Sequence, residues 1–335
     1  MLVIFTVEKK IMKKIALMTS GGDSPGMNAC IRAVVKSSLN RGVEVLGIED
    51  GFQGMIEGRG RLMAYTDVDT IIQYGGTILG SARSKEFKTP EGRQKAIEFL
   101  KDSKVEGLVV IGGDGSFAGA NQLSKEMDIS IIGIPGTIDN DIFGTDHTIG
   151  YDTALNTVVE AVDKIRDTAS SHHRIFFIEV MGRDAGFIAL NSAIASGADE
   201  VLIPEEVTDI KKLADHIIQN NKGRRSTIVI VAEGDDAGGA KEIMDKVKPY
   251  LVNFDMRYSV LGHIQRGGKP TVVDRIIATR MGDFAVDLLL DGKSKLMIGV
   301  KGDNLVTHTI EKSIKLHSKP DISKLGLLEK LRTKK

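Results

Sequence analysis

Apolar positions along the chain fall into two alternating kinds of segment: short continuous runs, and longer stretches in which they recur every three to four residues. The continuous runs at 14–19, 43–48, 107–111 and 129–134 predict strands. None alternates apolar with polar, so each is expected to be covered on both faces, as in a parallel sheet. Helical periodicity occupies 27–39 and 91–101 between them. A second series follows. It begins with a helix over 153–165, where Leu155, Val158, Val159, Val162 and Ile165 share one face. Strands are predicted at 174–180, 201–205 and 227–232, with helices over 188–197 and 210–220. A long helix over 272–290 comes next, and the lysine-rich end from about 312 reads as a charged surface helix. Two series of alternating β and α elements predict an α/β fold of two domains, each built on a mostly parallel sheet flanked by helices.

The turns carry the candidate chemistry. Ser20-Gly21-Gly22-Asp23-Ser24-Pro25-Gly26 joins the first strand to a helix, and Gly112-Gly113-Asp114-Gly115-Ser116 echoes it after the third. Glycines let backbone N–H groups approach oxyanions, and a following helix adds positive potential, so both loops are phosphate candidates. A tight turn with no ligand explains a single such loop equally well. Asp114, among N–H groups, is oddly placed unless a cation neutralises it. It is a candidate to hold Mg²⁺ near ATP phosphates, with plain helix capping as the alternative. Pro135-Gly136-Thr137-Ile138-Asp139-Asn140-Asp141 closes the fourth run. Two carboxylates at the carboxyl end of a parallel strand are placed for catalysis: Asp139 as a base, Asp141 to orient metal or substrate, with the Thr137 hydroxyl beside them. A loop aspartate bonded to its own backbone is the plainer reading of either acid alone. Arg83, in a glycine-rich polar stretch, offers a rigid fork of donors that can span two phosphates, or is an ordinary surface arginine.

Composition narrows the partners. The 45 basic and 45 acidic residues cancel, which argues against a nucleic-acid or membrane surface. The single cysteine, Cys30, rules out an intrachain disulfide framework and reads as core packing. No apolar run approaches the roughly 20 residues of a membrane span. Residues 1–11 make a poor secretory leader and read as an extension or an upstream start, so a cytoplasmic location is expected.

With Met181-Gly182-Arg183 and Gly262-His263-Ile264-Gln265-Arg266-Gly267-Gly268 added in this order, the chain closely resembles the bacterial 6-phosphofructokinases from about residue 13 to 304. The resemblance implies ATP-dependent phosphorylation of fructose 6-phosphate to fructose 1,6-bisphosphate, an early committed step of glycolysis. It assigns nucleotide binding to Gly22, Arg83, Ser84, Gly113, Asp114, Gly115 and Ser116. Thr137, Asp139, Asp141, Arg183 and Arg83 become the catalytic group. The sugar phosphate falls to Thr137, Asp139, Asp141, Met181, Gly182, Arg183, Glu233, His263 and Arg266. Arg174 and Arg257 would reach into a neighbouring subunit's site, which implies a homotetramer. The implied larger domain comprises 13–149 and about 265–311, and the smaller one 150–264 with the tail from 312 to 335.

Pyrophosphate-dependent relatives usually carry an aspartate in place of Gly115 and a lysine in place of Gly136, so glycine at both predicts ATP as donor. For an ADP or phosphoenolpyruvate effector, Arg32, Arg166 and Lys222 match the family's cationic cluster and Arg224 lies in the same basic segment. Lys36, Tyr65, Ser226 and Asp199 depart from it, so a pocket that responds weakly or to different ligands is expected. Three other readings stand beside this one. They are a pyrophosphate-dependent or other sugar-phosphate kinase, a nicotinamide dehydrogenase, and a non-catalytic sugar-phosphate sensor. The first glycine turn lacks the Gly-x-Gly-x-x-Gly spacing of the dehydrogenase, and the sensor would be expected to have lost Asp114 or Asp139.

Overall fold

A computed structural model describes residues 12–220 and 226–331. Five strands come first: β1 (Lys14–Ser20), β2 (Glu44–Ile48), β3 (Gly60–Leu62), β4 (Gly107–Gly112) and β5 (Ser130–Pro135). Then come β6 (Ile175–Val180), β7 (Glu200–Leu202), β8 (Thr227–Ala232) and β9 (Met256–Val260), and finally β10 (Leu296–Lys301) and β11 (Asn304–Thr309). The first five and last two form a seven-stranded sheet in the order β11-β10-β5-β4-β1-β2-β3; the other four form a second sheet ordered β7-β8-β6-β9. All pairs are parallel except β2–β3 and β10–β11 at the edges of the larger sheet.

The continuous apolar runs have the expected cause. In β1, Ile15 and Leu17 enter one core while Ala16 and Met18 enter another on the opposite face. Ile175 and Phe177 are likewise separated from Phe176 and Ile178 in β6. Helices Met27–Asn40 and Val272–Leu290 pack closely across one face of the larger sheet. A Cβ on Gly282 would meet the Ala33 Cβ at 2.8 Å and the Cys30 carbonyl at 2.9 Å. Cys30 is fully buried there, and burial pushes its thiol far above the usual range.

Several elements differ from the sequence expectation. The helix expected over 153–165 runs Tyr151–His172, its last two turns too polar to show an apolar stripe. β7 stops at Leu202, shortly before Pro204, which has no N–H for a ladder. The tail is two short helices, Ile310–Lys315 and Leu325–Leu331, with Pro320 between them. It is not merely a charged surface element, since Leu328 is 6% exposed in the core under the second sheet.

Buried Asp274 joins the two sheet systems at the start of helix Tyr151–His172. Its Oδ1 accepts the Gly150 N–H and its Oδ2 the Thr153 N–H, each at 2.8 Å. Among the described residues, no helix is long and apolar enough to cross a membrane.

Candidate active site

Parallel pairing of β1, β4 and β5 brings the loops after all three to one sheet edge. Register does this directly: Ser20 is paired with Gly112, and Gly112 with Pro135. The loops are then laced together. Ser116 Oγ donates to the Ser20 carbonyl at 2.9 Å, and Ser81 Oγ to the Gly21 carbonyl at 2.7 Å. Together they wall a cavity of about 770 Å³. Gly22, Arg83, Ser84, Gly113, Asp114, Gly115, Ser116, Thr137, Asp141, Arg183 and Arg266 all line it.

Asp139 does not itself line the cavity: it is 1% exposed, and among the described residues neither carboxylate oxygen has a well-formed hydrogen bond. Arg183 lies across it, with Nε 3.3 Å from Asp139 Oδ2 and Nη1 3.9 Å from Asp114 Oδ1. Burial raises the Asp139 carboxyl above its ordinary value, opposed by the charges of Arg183 and Arg266. The guanidinium therefore favours the ionised form, against the effect of burial.

Arg183 owes its position to a strained turn. It has φ 52°, follows Gly182 at φ 141°, and both backbone N–H groups donate to Glu233 Oε1, at 2.8 and 3.2 Å. Glu233, expected to meet sugar hydroxyls, thus has one oxygen committed to this turn. Met181 is fixed similarly, its N–H donating to Gln265 Oε1 at 3.1 Å. Arg266 reaches the first glycine loop, donating from Nη1 to the Asp23 carbonyl at 3.3 Å. His263 is exposed on the same 3₁₀ turn, Gly262–Arg266.

Asp141 is held at about 6, raised first by burial and then by the charges of Asp139 and Asp114. In the folded chain this carboxyl keeps its proton to a higher pH than in the unfolded chain. Its contribution is therefore fully present below its ordinary 3.8 and is lost as pH rises to about 6. Asp141→Asn is expected to raise stability at pH 7.5 by up to about 2 kcal/mol, and by almost nothing at pH 4. Urea unfolding at both pH values checks this; equal effects at the two would exclude an ionisation origin.

A phosphofructokinase family model matches residues 14–289. ATP-dependent 6-phosphofructokinase 2 of Bacteroides thetaiotaomicron is 51% identical over 305 residues, covering 91% of this chain and 94% of that protein. The chain belongs to the phosphofructokinase family. The ATP-dependent 6-phosphofructokinase of Macrococcus caseolyticus is 54% identical over 295 residues, 88% of this chain and 91% of that one. Among solved structures, the phosphofructokinase of Saccharomyces cerevisiae superposes with a TM-score of 0.85 at 38% identity. That match covers 90% of this chain but 45% of the yeast chain. A pyrophosphate-dependent phosphofructokinase from Marinobacter aquaeolei shares the fold, with a TM-score of 0.82 at 22% identity over 93% of this chain and 86% of that one.

Part of the cavity wall has no counterpart in the sequence motifs. Phe52 and Phe87 stack with centroids 4.0 Å apart, and both line the cavity with Lys88, Arg93, Gly119 and Gln122. A Cβ on Gly119 would come within 2.8 Å of the Phe52 ring. Aromatic residues this far from a glycine loop gave no signal, because only the fold brings them to it. Ser84 lines the cavity, and its hydroxyl donates to Gln53 Oε1 at 2.7 Å and accepts the Phe87 N–H at 3.0 Å.

Other expected residues lie away from the cavity. Arg174 precedes β6, at the opposite end of that strand from Met181, and its Nε donates to Asp255 Oδ2 at 2.7 Å. Arg257 pairs with the other oxygen of Asp255 at 2.5 Å. Of the effector group, Arg32 and Lys36 lie one turn apart on helix Met27–Asn40, and Lys36 pairs with Asp69 at 2.5 Å. Arg166 instead closes helix Phe187–Ser196, donating to the Ser196 and Gly197 carbonyls at 2.8 and 3.0 Å. Asp199 is buried, its Oδ2 accepting the Ile228 N–H at 2.8 Å, so its carboxylate serves the second sheet. Tyr65 donates to Asn40 Oδ1 at 2.7 Å, and the Ser226 and Ser170 hydroxyls are 3.2 Å apart. Lys222 and Arg224 lie outside the described residues.

Proposed function

We propose that this chain is an ATP-dependent 6-phosphofructokinase. It transfers the γ-phosphoryl group of ATP to the 1-hydroxyl of fructose 6-phosphate, giving fructose 1,6-bisphosphate and ADP, a committed step of glycolysis. The observation that supports the mechanism best is the buried carboxylate of Asp139, with Arg183 lying between it and Asp114.

Phosphoryl transfer needs an aligned hydroxyl, removal of its proton and positive charge around the moving group. Asp139 takes the sugar hydroxyl proton as the oxygen–phosphorus bond forms. Arg183 and Arg83 compensate charge on the phosphoryl oxygens, and Thr137 offers a hydroxyl at the same loop. Asp141 orients the substrate side of the cavity. A magnesium ion fits Asp114, whose carboxylate faces the cavity beside the glycine loops. Among the described residues no cluster of three or more ligating side chains could hold a metal unaided. A magnesium ion at Asp114 would share its coordination with phosphate oxygens and water. When bound, the ion would neutralise phosphate charge.

The donor assignment rests on small residues. A side chain on Gly115 would meet open space, whereas a Cβ on Gly136 would lie 3.0 Å from Ile111 Cγ2 and 3.1 Å from Met27 Cε. A lysine at the latter position, as in pyrophosphate-dependent relatives, would require both to move. The 51% and 54% identical relatives named as ATP-dependent support the same donor.

Arg174 and Arg257, remote from this chain's own cavity, support a homotetramer in which a neighbour supplies the sugar 6-phosphate clamp. The two sheet systems are read as the ATP-binding and sugar-phosphate-binding domains. An anionic effector on Arg32 and Lys36 would act weakly, since Arg166 and Asp199 already have structural partners. A glycolytic activity supports a cytoplasmic location.

The test is product formation by purified protein with Mg²⁺ and fructose 6-phosphate, supplied with ATP or pyrophosphate. ADP and fructose 1,6-bisphosphate from ATP alone are expected. Turnover with pyrophosphate alone would reverse the donor assignment, and none with either would favour another acceptor or a sensor.

A further inference from the structure

Asn140 separates the two carboxylates of the catalytic loop and is not among the residues that line the cavity. It is 4% exposed, and its backbone is left-handed with φ 57°. Asparagine tolerates that conformation better than most side chains, so the turn alone explains a small polar residue here. It does not explain the bonding. Asn140 Oδ1 accepts the Thr148 N–H at 2.8 Å and lies 3.2 Å from Thr148 Oγ1, while Nδ2 donates to the Asp146 carbonyl at 3.0 Å. Fully buried Thr148 then donates from Oγ1 to the Thr137 carbonyl at 2.6 Å. Below this brace, the Ile149 N–H donates to the Pro135 carbonyl at 2.9 Å and closes the loop at its base.

The loop is therefore braced from within, and the brace attaches between Asp139 and Asp141. Asparagine is suited to it because the site requires an acceptor on one side and a donor on the other. An ionised aspartate would have no donor for the Asp146 carbonyl, and a glycine would keep the turn while losing the brace. An extended residue would leave the two acids about 7 Å apart along the strand. With the left-handed residue between them, Asp139 is buried at 1% exposure while Asp141 lines the cavity.

We propose that Asn140, acting with Thr148, is a positioning residue that fixes Asp139 and Asp141 relative to each other without touching substrate. This rests on reading those two acids as the catalytic pair. A displacement of about 1 Å at a reacting group is enough to cost some 100-fold in rate. Asn140→Gly is accordingly expected to lower kcat by about 10- to 100-fold while leaving KM for ATP within about threefold. Thr148→Val should lower kcat in the same way, with Thr148→Ser restoring it. The two losses should be markedly less than multiplicative when combined, since both break one brace.

The experiment measures kcat and KM for ATP, with thermal midpoints, for these variants and Asp139→Asn in the full-length protein. A folded Asn140→Gly with kcat within about threefold of the parent, whatever its thermal midpoint, overturns the proposal. If that variant cannot be recovered folded, the Thr148 pair decides: equal kcat for Thr148→Val and Thr148→Ser overturns it. Full activity in Asp139→Asn would instead overturn the reading of the site on which the proposal rests.

Discussion

Asp139→Asn lowers kcat by about three orders of magnitude, the loss expected when a positioned base is removed. KM for ATP should change little, because the glycine loops proposed to meet the phosphates are untouched. Asparagine keeps the volume and planarity of the side chain in a site that is 1% exposed, so the loop has no reason to rearrange. Stability should move the other way. The native carboxylate is buried without a well-formed hydrogen bond among the described residues; Arg183 Nε lies 3.3 Å away, and the Arg266 charge and the Thr137 hydroxyl also act on it. A neutral amide avoids the cost of holding a charge there at pH 7.5. A variant that loses turnover yet melts no lower than its parent would identify a group kept for chemistry. Retention of kcat within tenfold would remove Asp139 as the base.

Arg183→Ala should lower kcat by about 10²- to 10³-fold, the range typical of losing a preorganised donor to transition-state charge. A second effect distinguishes it from Asp139→Asn. Arg183 is the larger of two cationic influences that hold the Asp139 carboxyl down against burial. Without it that carboxyl keeps its proton to higher pH, so the acid limb of kcat/KM should shift upward. Raising the pH should then recover part of the loss in Arg183→Ala and none of it in Asp139→Asn. Arg183→Lys keeps a charge without the planar fork and should recover the pH profile better than the rate. An unchanged acid limb in Arg183→Ala would mean that Asp139 does not govern it.

The reactive loops could be read from the chain because their chemistry is local. A glycine turn after an apolar run, or two acids one residue apart, is visible without neighbours. The same holds for the doubly covered strands, whose continuous apolar runs follow from Ile15 and Leu17 facing one core and Ala16 and Met18 another. β9 was not legible. Its residues Met256-Arg257-Tyr258-Ser259-Val260 form a sheet edge in which none is fully buried, so the apolar run that marks an interior strand is missing. β10 and β11 lie beyond the long helix; β10 returns to the first sheet by non-local pairing with β5, and β11 pairs with β10. The apolar run over 296–300 does mark β10 as an interior strand; what the segment does not carry is which sheet it joins.

Sequence by itself determined the α/β class, the glycine loops and the identity of the two acids, since each depends on residue type within a few positions. Only the tertiary structure decided what those groups experience. Burial and neighbouring charge, not residue type, put the Asp141 carboxyl at about 6 and lay Arg183 across Asp139. It also brought Phe52 and Phe87 to the cavity wall, gave one Glu233 oxygen to the Met181–Arg183 turn, and engaged Arg166 as the stop of a helix. The reason is distance: a side chain's partners are set by which elements the core packs together, and those elements are far apart along the chain.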